Sequence, residues 1–262
     1  MANKPYQNFV LAAKLEDFYK TKLDLNQFIT INDELMANEG DKYVVNTYTA
    51  TGDVEDLAMG QGNTAIIEAS FTPAEYLVKT TQGQFVYYDE EINKDTKIVS
   101  TGLEKLSASL VNNLTTSVVA ELDKTTLSYS TAKFDYASFA NAIAVMNFED
   151  ETGLYALVNV KDLAEIRTNF AEELKYVEAN VRTGYIGTAC GVPISVSKAV
   201  PQGKIYIATT EAVTCFNKKG AVVEQDRDID KRKNTVVGRV VRVIALTDGT
   251  KVVKMVKTEA AG

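Results

Sequence analysis

The spacing of apolar positions changes several times along the 262-residue chain, and each change marks an element. Between 101 and 123 it is helical: Leu103, Leu106, Leu110, Leu114, Val118 and Leu122 form one stripe, widened by Val111 and Val119. A helix of this span runs about 35 Å, longer than the usual three turns. Thr101 and Glu104 have capping-box spacing, and Asp95 offers an earlier start. Thr115 and Thr116 lower helix propensity, so burial of the stripe must hold the helix together.

Before this helix the period is two. Ile67, Ala69 and Phe71 alternate with Glu68, Ser70 and Thr72, Tyr76 and Val78 continue beyond Pro73, and Gln82-Gly83 separates them from Phe85–Tyr88. An antiparallel hairpin from about 64 to 90 accounts for this, with Pro73 at a bulge or edge position. It is preceded by TATGDVEDLAMGQGNTA, residues 49–65, a long loop with Gly52, Gly60 and Gly62. Residues 1–40 hold short apolar clusters, Phe9–Leu15 and Leu23–Ile31, and read as a partly helical arm.

After the helix, Asp135 caps a second one through Phe139, Ala140, Ile143 and Ala144. Leu154–Val160 reads as a strand buried on both faces, and Asp162 with Glu165 caps a third helix through Leu163, Ile166, Phe170, Leu174 and Val177. Strands follow at Val192–Val196 and Lys204–Ala208, so 134–210 forms one α/β or α+β unit. The last fifty residues predict two hairpins, 212–216 with 221–224 across Asn217–Gly220, and 236–246 with 251–256 across Asp248-Gly249. Between them EQDRDIDKRKN alternates in charge and has no core face. Strands on either side of the central unit can share one sheet, which makes that unit an insertion.

Composition narrows the chemistry. The chain has no His, two Cys and four Pro, which excludes His-dependent triads, imidazole-bound metals and the usual structural zinc sites. The apolar run at the N-terminus is too short for a signal peptide or membrane span. The net charge of -7 disfavours a protein built to grip nucleic acid. That charge is uneven: residues 1–60 carry ten acids and five bases, and 218–257 carry eleven bases and five acids, so opposite ends of neighbouring copies can attract.

The remaining candidates are weak. Gly184, Gly187 and Gly191 run from helix to strand, the reverse of a phosphate-binding loop, and read as a tight connection. Cys190 would need a Lys or carboxylate as its base, and Cys215 in AVTCF reads as core packing; whether the two form a disulfide depends on their separation. Asp89, Glu90 and Glu91 suit a helix start, while Asp226, Asp228 and Asp230 are compensated by Arg227, Lys231 and Arg232. Lys231, Arg232 and Lys233 form a short basic patch opposed by those same acids. No catalytic, cofactor-binding or metal-binding residue is assigned.

The order of these features resembles the major capsid proteins of tailed bacteriophages, the HK97-like fold. The resemblance spans nearly the whole chain, and its most recognisable local part is GYIGTACGVPISVSKAVPQGKIYIAT, with Gly191, Pro193, Ile194 and Ser197 in the family's pattern. It implies an α+β fold with an N-terminal arm (1–49), a long β-hairpin or E-loop (50–90), and a peripheral P-domain with its spine helix (91–131). A central A-domain (132–212) and C-terminal strands returning to the P-domain (213–262) complete it. The implied function is a non-enzymatic subunit of an icosahedral head, self-assembling into pentamers and hexamers around double-stranded DNA contacted non-specifically. Separate scaffolding, portal and head-completion proteins are the implied partners; the implied location is the virion, assembled in the host cytoplasm, with no membrane. The length leaves no room for an N-terminal scaffolding domain or an insertion domain. Some members crosslink an E-loop Lys to an Asn; Lys79 is the E-loop lysine here, and nothing around it marks it as reactive. An encapsulin-like nanocompartment, a tail-tube subunit, or a hydrolase using carboxylates or Cys190 are the alternatives, the tail tube being opposed by the helices.

Overall fold

The structure, a computed structural model, describes residues 6–7, 10–15, 28–37, 40, 42–147, 153–173 and 188–258. In chain order the elements are β1 (Tyr6–Gln7), α1 (10–15), β2 (Thr30–Asn32), a 3-10 turn (Glu34–Ala37), β3 (Lys42–Thr51), β4 (Glu68–Leu77), β5 (Lys79–Tyr88), α2 (Asp89–Lys94), α3 (Ile98–Leu122) and β6 (Ser128–Thr131). They continue with α4 (Tyr136–Met146), β7 (Leu154–Val158), α5 (Val160–Glu173), β8 (Thr188–Ala189), β9 (Val192–Val196), β10 (Lys204–Thr209), β11 (Val213–Asp228), β12 (Lys233–Leu246) and β13 (Val252–Lys257). The architecture is α+β.

Helix α3 organises the chain because its apolar stripe is long enough to serve two sheets. Leu103, Leu106 and Leu110 pack with Tyr87, Val223, Val236 and Val240 on the sheet ordered β1-β11-β12-β5. One turn further on, Leu114, Val118 and Leu122 pack with Tyr155, Tyr206 and Val252 of the sheet ordered β6-β13-β10-β7-β9-β8. Every leucine and valine of the predicted stripe from Leu103 to Leu122 is buried, apart from the flanking Val111, which is half-buried. Its second half carries hydroxyls that bond back along the helix: Thr115, Thr116 and Ser117 donate to the carbonyls of Val111, Asn112 and Asn113 at 3.0, 2.8 and 2.9 Å. The helix starts at Ile98, earlier than the Thr101 capping-box spacing suggests, and Asp95 accepts from Lys97 N–H at 2.9 Å just before it.

The six-stranded sheet is covered on both faces, so its strands alternate between two cores. Leu154, Ala156 and Val158 of β7, with Ile205 and Ile207 of β10, face Phe139, Ile143, Ile166 and Phe170 of α4 and α5. Tyr155, Leu157, Tyr206 and Ala208 face α3 instead. Asp135 caps α4 as expected, accepting from Ser138 N–H at 2.8 Å. Helix α5 departs from expectation: Asn159 Oδ1 accepts from Lys161 N–H at 2.9 Å at its start, while Asp162 is buried and accepts from Gly203 N–H at 2.7 Å. Leu174, Val177, Gly184 and Gly187 lie outside the described residues. Cys190 and Gly191, both at positive φ, make the two-residue turn between β8 and β9.

None of the three hairpins that the local pattern predicts forms as such. The hairpin expected over 64–90 does not form: β4 pairs with β3, from Lys42↔Leu77 to Thr51↔Glu68, and β5 pairs with β12. Gln82-Gly83 is therefore mid-strand. Gly83 lies directly opposite Gly238, and a Cβ on either would come within 2.4 or 2.8 Å of the Leu106 side chain. The two glycines form a notch that lets α3 sit close to the sheet. Residues 213–228 are one strand with bulges around Lys219, and the charged segment forms its end, the turn at 229–232 and the start of β12, with Asp228 opposite Lys233. Strands β12 and β13 belong to different sheets; Asp248 accepts from Thr250 N–H at 3.0 Å in a local turn that redirects the chain. The strand before α3 and the long strands after the central unit do share a sheet, while β13 joins the central one.

Part of the N-terminal region is folded onto the body. Leu15 is buried beside Leu106, β1 pairs antiparallel with β11, and β2 pairs parallel with it.

Candidate assembly surface

Strands β3 and β4 form a ribbon whose two faces have different fates. Tyr43, Val45 and Tyr76 share one face, and at the ribbon's base they pack with Leu35, Phe216, Val243 and Ala245. The Tyr43 and Phe216 rings lie 4.5 Å apart. Farther out this face carries Thr47 opposite Thr72. The other face carries Val44, Tyr48, Phe71 and Leu77 with Ala50, Ala69 and Pro73. Tyr48 is 74% exposed, Phe71 62% and Leu77 63%. Lys42 and Glu75 form a surface ion pair at 2.9 Å near the base, and the Tyr48 and Phe71 rings, tilted by 50°, lie 6.3 Å apart beyond it. A two-stranded ribbon cannot bury both faces by itself, and a contiguous run of exposed large apolar side chains marks a contact surface.

The ribbon's base is set against the end of α3. Lys124 Nζ lies 5.3 Å from the Tyr76 ring centroid and pairs with Glu121 at 2.7 Å. Burial, then the charge of Glu121, pushes the Tyr76 hydroxyl above its ordinary pKa. Beside this contact runs a polar groove of roughly 810 Å³, lined by Leu77, Lys79, Asn113, Ser117 and Lys124 among others. Pro73 sits on an edge strand, as its missing N–H requires.

The local pattern leaves 42–48 between arm and loop without an element, and the resemblance counts them with the arm; the structure makes them β3. The signal was present in KYVVNTYTAT, a run of β-branched and aromatic residues after Gly40. Residues 52–67 are the tip of the ribbon rather than its base. Lys79 is not on the ribbon at all: it opens β5, opposite Arg242.

The chemically suggestive residues are engaged structurally. Asp89 accepts from Arg227 at 2.6 Å and Asn234 at 2.8 Å, Glu90 pairs with Arg232 at 2.9 Å, and Glu91 accepts from Tyr88 N–H at 2.9 Å. Arg227, first, and Asn234 hold the Asp89 carboxyl below its ordinary range. Asp228 lies 3.8 Å from Lys231 on the β11–β12 turn. Cys215 is buried and its thiol is pushed up to about 11 by that burial, opposite to what a nucleophile needs. No disulfide joins it to Cys190, whose Sγ lies 3.5 Å from the Tyr136 carbonyl. Among the described residues no group of three or more His, Cys, Asp or Glu is placed to hold a metal, and no helix is long and apolar enough to cross a membrane.

No family model and no curated protein matches the sequence. Solved structures do match over nearly its full length. A structure from Mycobacterium phage Che8 has 16% identity and a TM-score of 0.64, covering 99% of this chain and 94% of that one. The virus-like particle from Pyrococcus furiosus has 15% identity and a TM-score of 0.63, covering 94% and 97%. The capsid of cyanophage P-SCSP1u has 10% identity and a TM-score of 0.66, covering 99% and 90%. With α3 shared between two sheets and the β3–β4 ribbon projecting from one of them, the chain has the fold of these phage capsid and particle subunits, the HK97-like fold.

Proposed function

We propose that the chain is a structural subunit of an icosahedral bacteriophage head, assembling with itself into pentamers and hexamers that enclose double-stranded DNA. The observation that carries this reading is the open apolar face of the β3–β4 ribbon on a chain with a capsid-type fold. That face gains most by lying on a neighbouring copy, and repetition of the contact around a ring gives avidity without any one contact being strong. In this reading the ribbon, 42–77, takes the E-loop role expected of 50–90, and α3 is the spine helix. The six-stranded sheet with α4 and α5 is the core of the A-domain. The subunit has no catalytic role; scaffolding, portal and head-completion proteins act as separate partners, and its place is the virion, assembled in the host cytoplasm.

A compartment shell of encapsulin type is the second reading, since a virus-like particle from a cellular organism, Pyrococcus furiosus, matches the chain about as fully as the phage structure does. Light scattering after size exclusion, with negative-stain imaging, tests both. Rings or megadalton shells are expected, and packaged DNA against protein cargo divides the two readings. A chain that stays monomeric at all concentrations and ionic strengths removes both.

A further inference from the structure

The ribbon does not fray beyond its last strand pair. At the neck of its tip Gly52 has φ +127°, and a Cβ there would lie 2.3 Å from the Ile66 carbonyl oxygen, so the two legs of the loop touch and only glycine fits. Three residues on, Glu55 reaches across. Its Oε1 accepts from the Thr64 N–H and, at 3.1 Å, from the Ala65 N–H, while the Thr64 hydroxyl lies 2.9 Å from Oε2. These contacts, led by the Thr64 N–H, hold the Glu55 carboxyl below its ordinary range. Between the clamped legs the turn is tied again, with Gln61 N–H donating to the Ala58 carbonyl at 3.0 Å.

This frame carries apolar side chains outward. Val54, Leu57, Met59, Ile66 and Ile67 are exposed, and Ile67 is in phase with Ala69 and Phe71, so the apolar face of the ribbon runs on into the tip. Residues 52–67 contain Asp53, Glu55 and Asp56 and no Lys or Arg. A loop that only connects two strands is usually polar and loosely held; one that is clamped and apolar has lost its ordering entropy before contact, which is what a docking element needs.

We propose that Glu55 is the positioning residue of a preformed knob at the ribbon tip, and that the contact with a second copy read above depends on this clamp. The proposal rests on the self-assembly reading above. The second copy is the occupant because the apolar track is continuous from ribbon to knob.

The test uses the full chain with Glu55→Ala, Glu55→Gln and Met59→Asp. In dissociated subunits, Thr64 and Ala65 amide exchange should be about ten- to a hundredfold faster in Glu55→Ala than in wild type, as expected for loss of charge-assisted hydrogen bonds. Glu55→Gln, which keeps an acceptor, should fall between, and Met59→Asp should leave those amides protected. All variants should melt with the wild type, within about 2 °C, because the substitutions lie on an exposed tip. In association followed by light scattering, Glu55→Ala and Met59→Asp should both be at least tenfold slower than wild type. Equal exchange in wild type and Glu55→Ala overturns the clamp, whatever the assembly result. Wild-type association rates in Glu55→Ala or Met59→Asp, with the wild type assembling, overturn the knob as a docking element. A wild type that never associates removes the shell reading and the seat on a second copy, while exchange still judges the clamp on its own.

Discussion

Asp123, one residue beyond the end of α3, sits where the helix dipole disfavours a carboxylate, and it is held there by cations from the central sheet. Its Oδ1 accepts from Lys204 at 2.9 Å and from the Tyr206 hydroxyl at 2.8 Å, with Lys254 at 3.4 Å. Burial pushes this carboxyl up, but the bonds from Lys204 and Tyr206, with both lysine charges, outweigh it, and the net direction is down. A carboxyl depressed on folding contributes stability that is complete above its unfolded pKa and lost as pH falls through the folded one. Asp123→Asn should therefore cost about 1 kcal/mol at pH 7, the site being partly exposed, and the difference from wild type should shrink in urea melts run at falling acidic pH. A difference that stays constant from pH 7 to 2.5 would show that the charge contributes nothing. The glycine notch makes a second case. Gly238→Ala places a methyl group against Leu106 and should cost about 1–3 kcal/mol, and pairing it with Leu106→Ala should yield less destabilisation than the sum of the two single changes. Additivity in that double-mutant cycle would mean the notch does not set the packing distance.

At the scale of elements, the stripe of α3, the cap of α4 and the buried strand β7 were legible because each is a local signal: a period, a side chain beside the amides it serves, an unbroken apolar run. Gly83 was not. As a sequence feature Gln82-Gly83 looks like a turn, and only Leu106 and Gly238, far away in the chain, reveal that the missing side chain makes room for a helix. Asp248-Gly249 failed likewise, because a turn signal does not say whether the strands beside it pair with each other or leave for different sheets. For the assembly surface, the alternation of Ile67, Ala69 and Phe71 identified the exposed face, but its partner strand β3 was hidden in what read as an arm. The corrected ribbon gives a cleaner deletion. Joining Asn46 to Pro73 through an Asn-Gly turn keeps Tyr43, Val45 and Tyr76 at the base and removes the outer apolar face and tip. Far-UV circular dichroism and the melting midpoint should stay near wild type, and closed particles should vanish from negative-stain fields. Complete particles from the shortened chain would mean that the ribbon is not the intersubunit element.

For the whole molecule, the sharing of α3 between two sheets has a mechanical consequence. A rod gripped at one end by the β11-β12-β5 sheet and at the other by the β10-β7 sheet is a lever, and its compliance sets how far the two halves of the subunit can tilt. The back-bonded hydroxyls of Thr115, Thr116 and Ser117 lie within the second grip, between Leu114 and Val118, and such bonds ease bending. A bend of about ten degrees there swings the stretch back to Ile98, about 27 Å long at 1.5 Å per residue, through roughly 5 Å at its far end. Because β5 and the ribbon ride on one grip and the six-stranded sheet on the other, one soft point in one helix would let identical chains of the proposed shell meet their neighbours at different angles, with the adjustment taken up in the second core and the first left as it is.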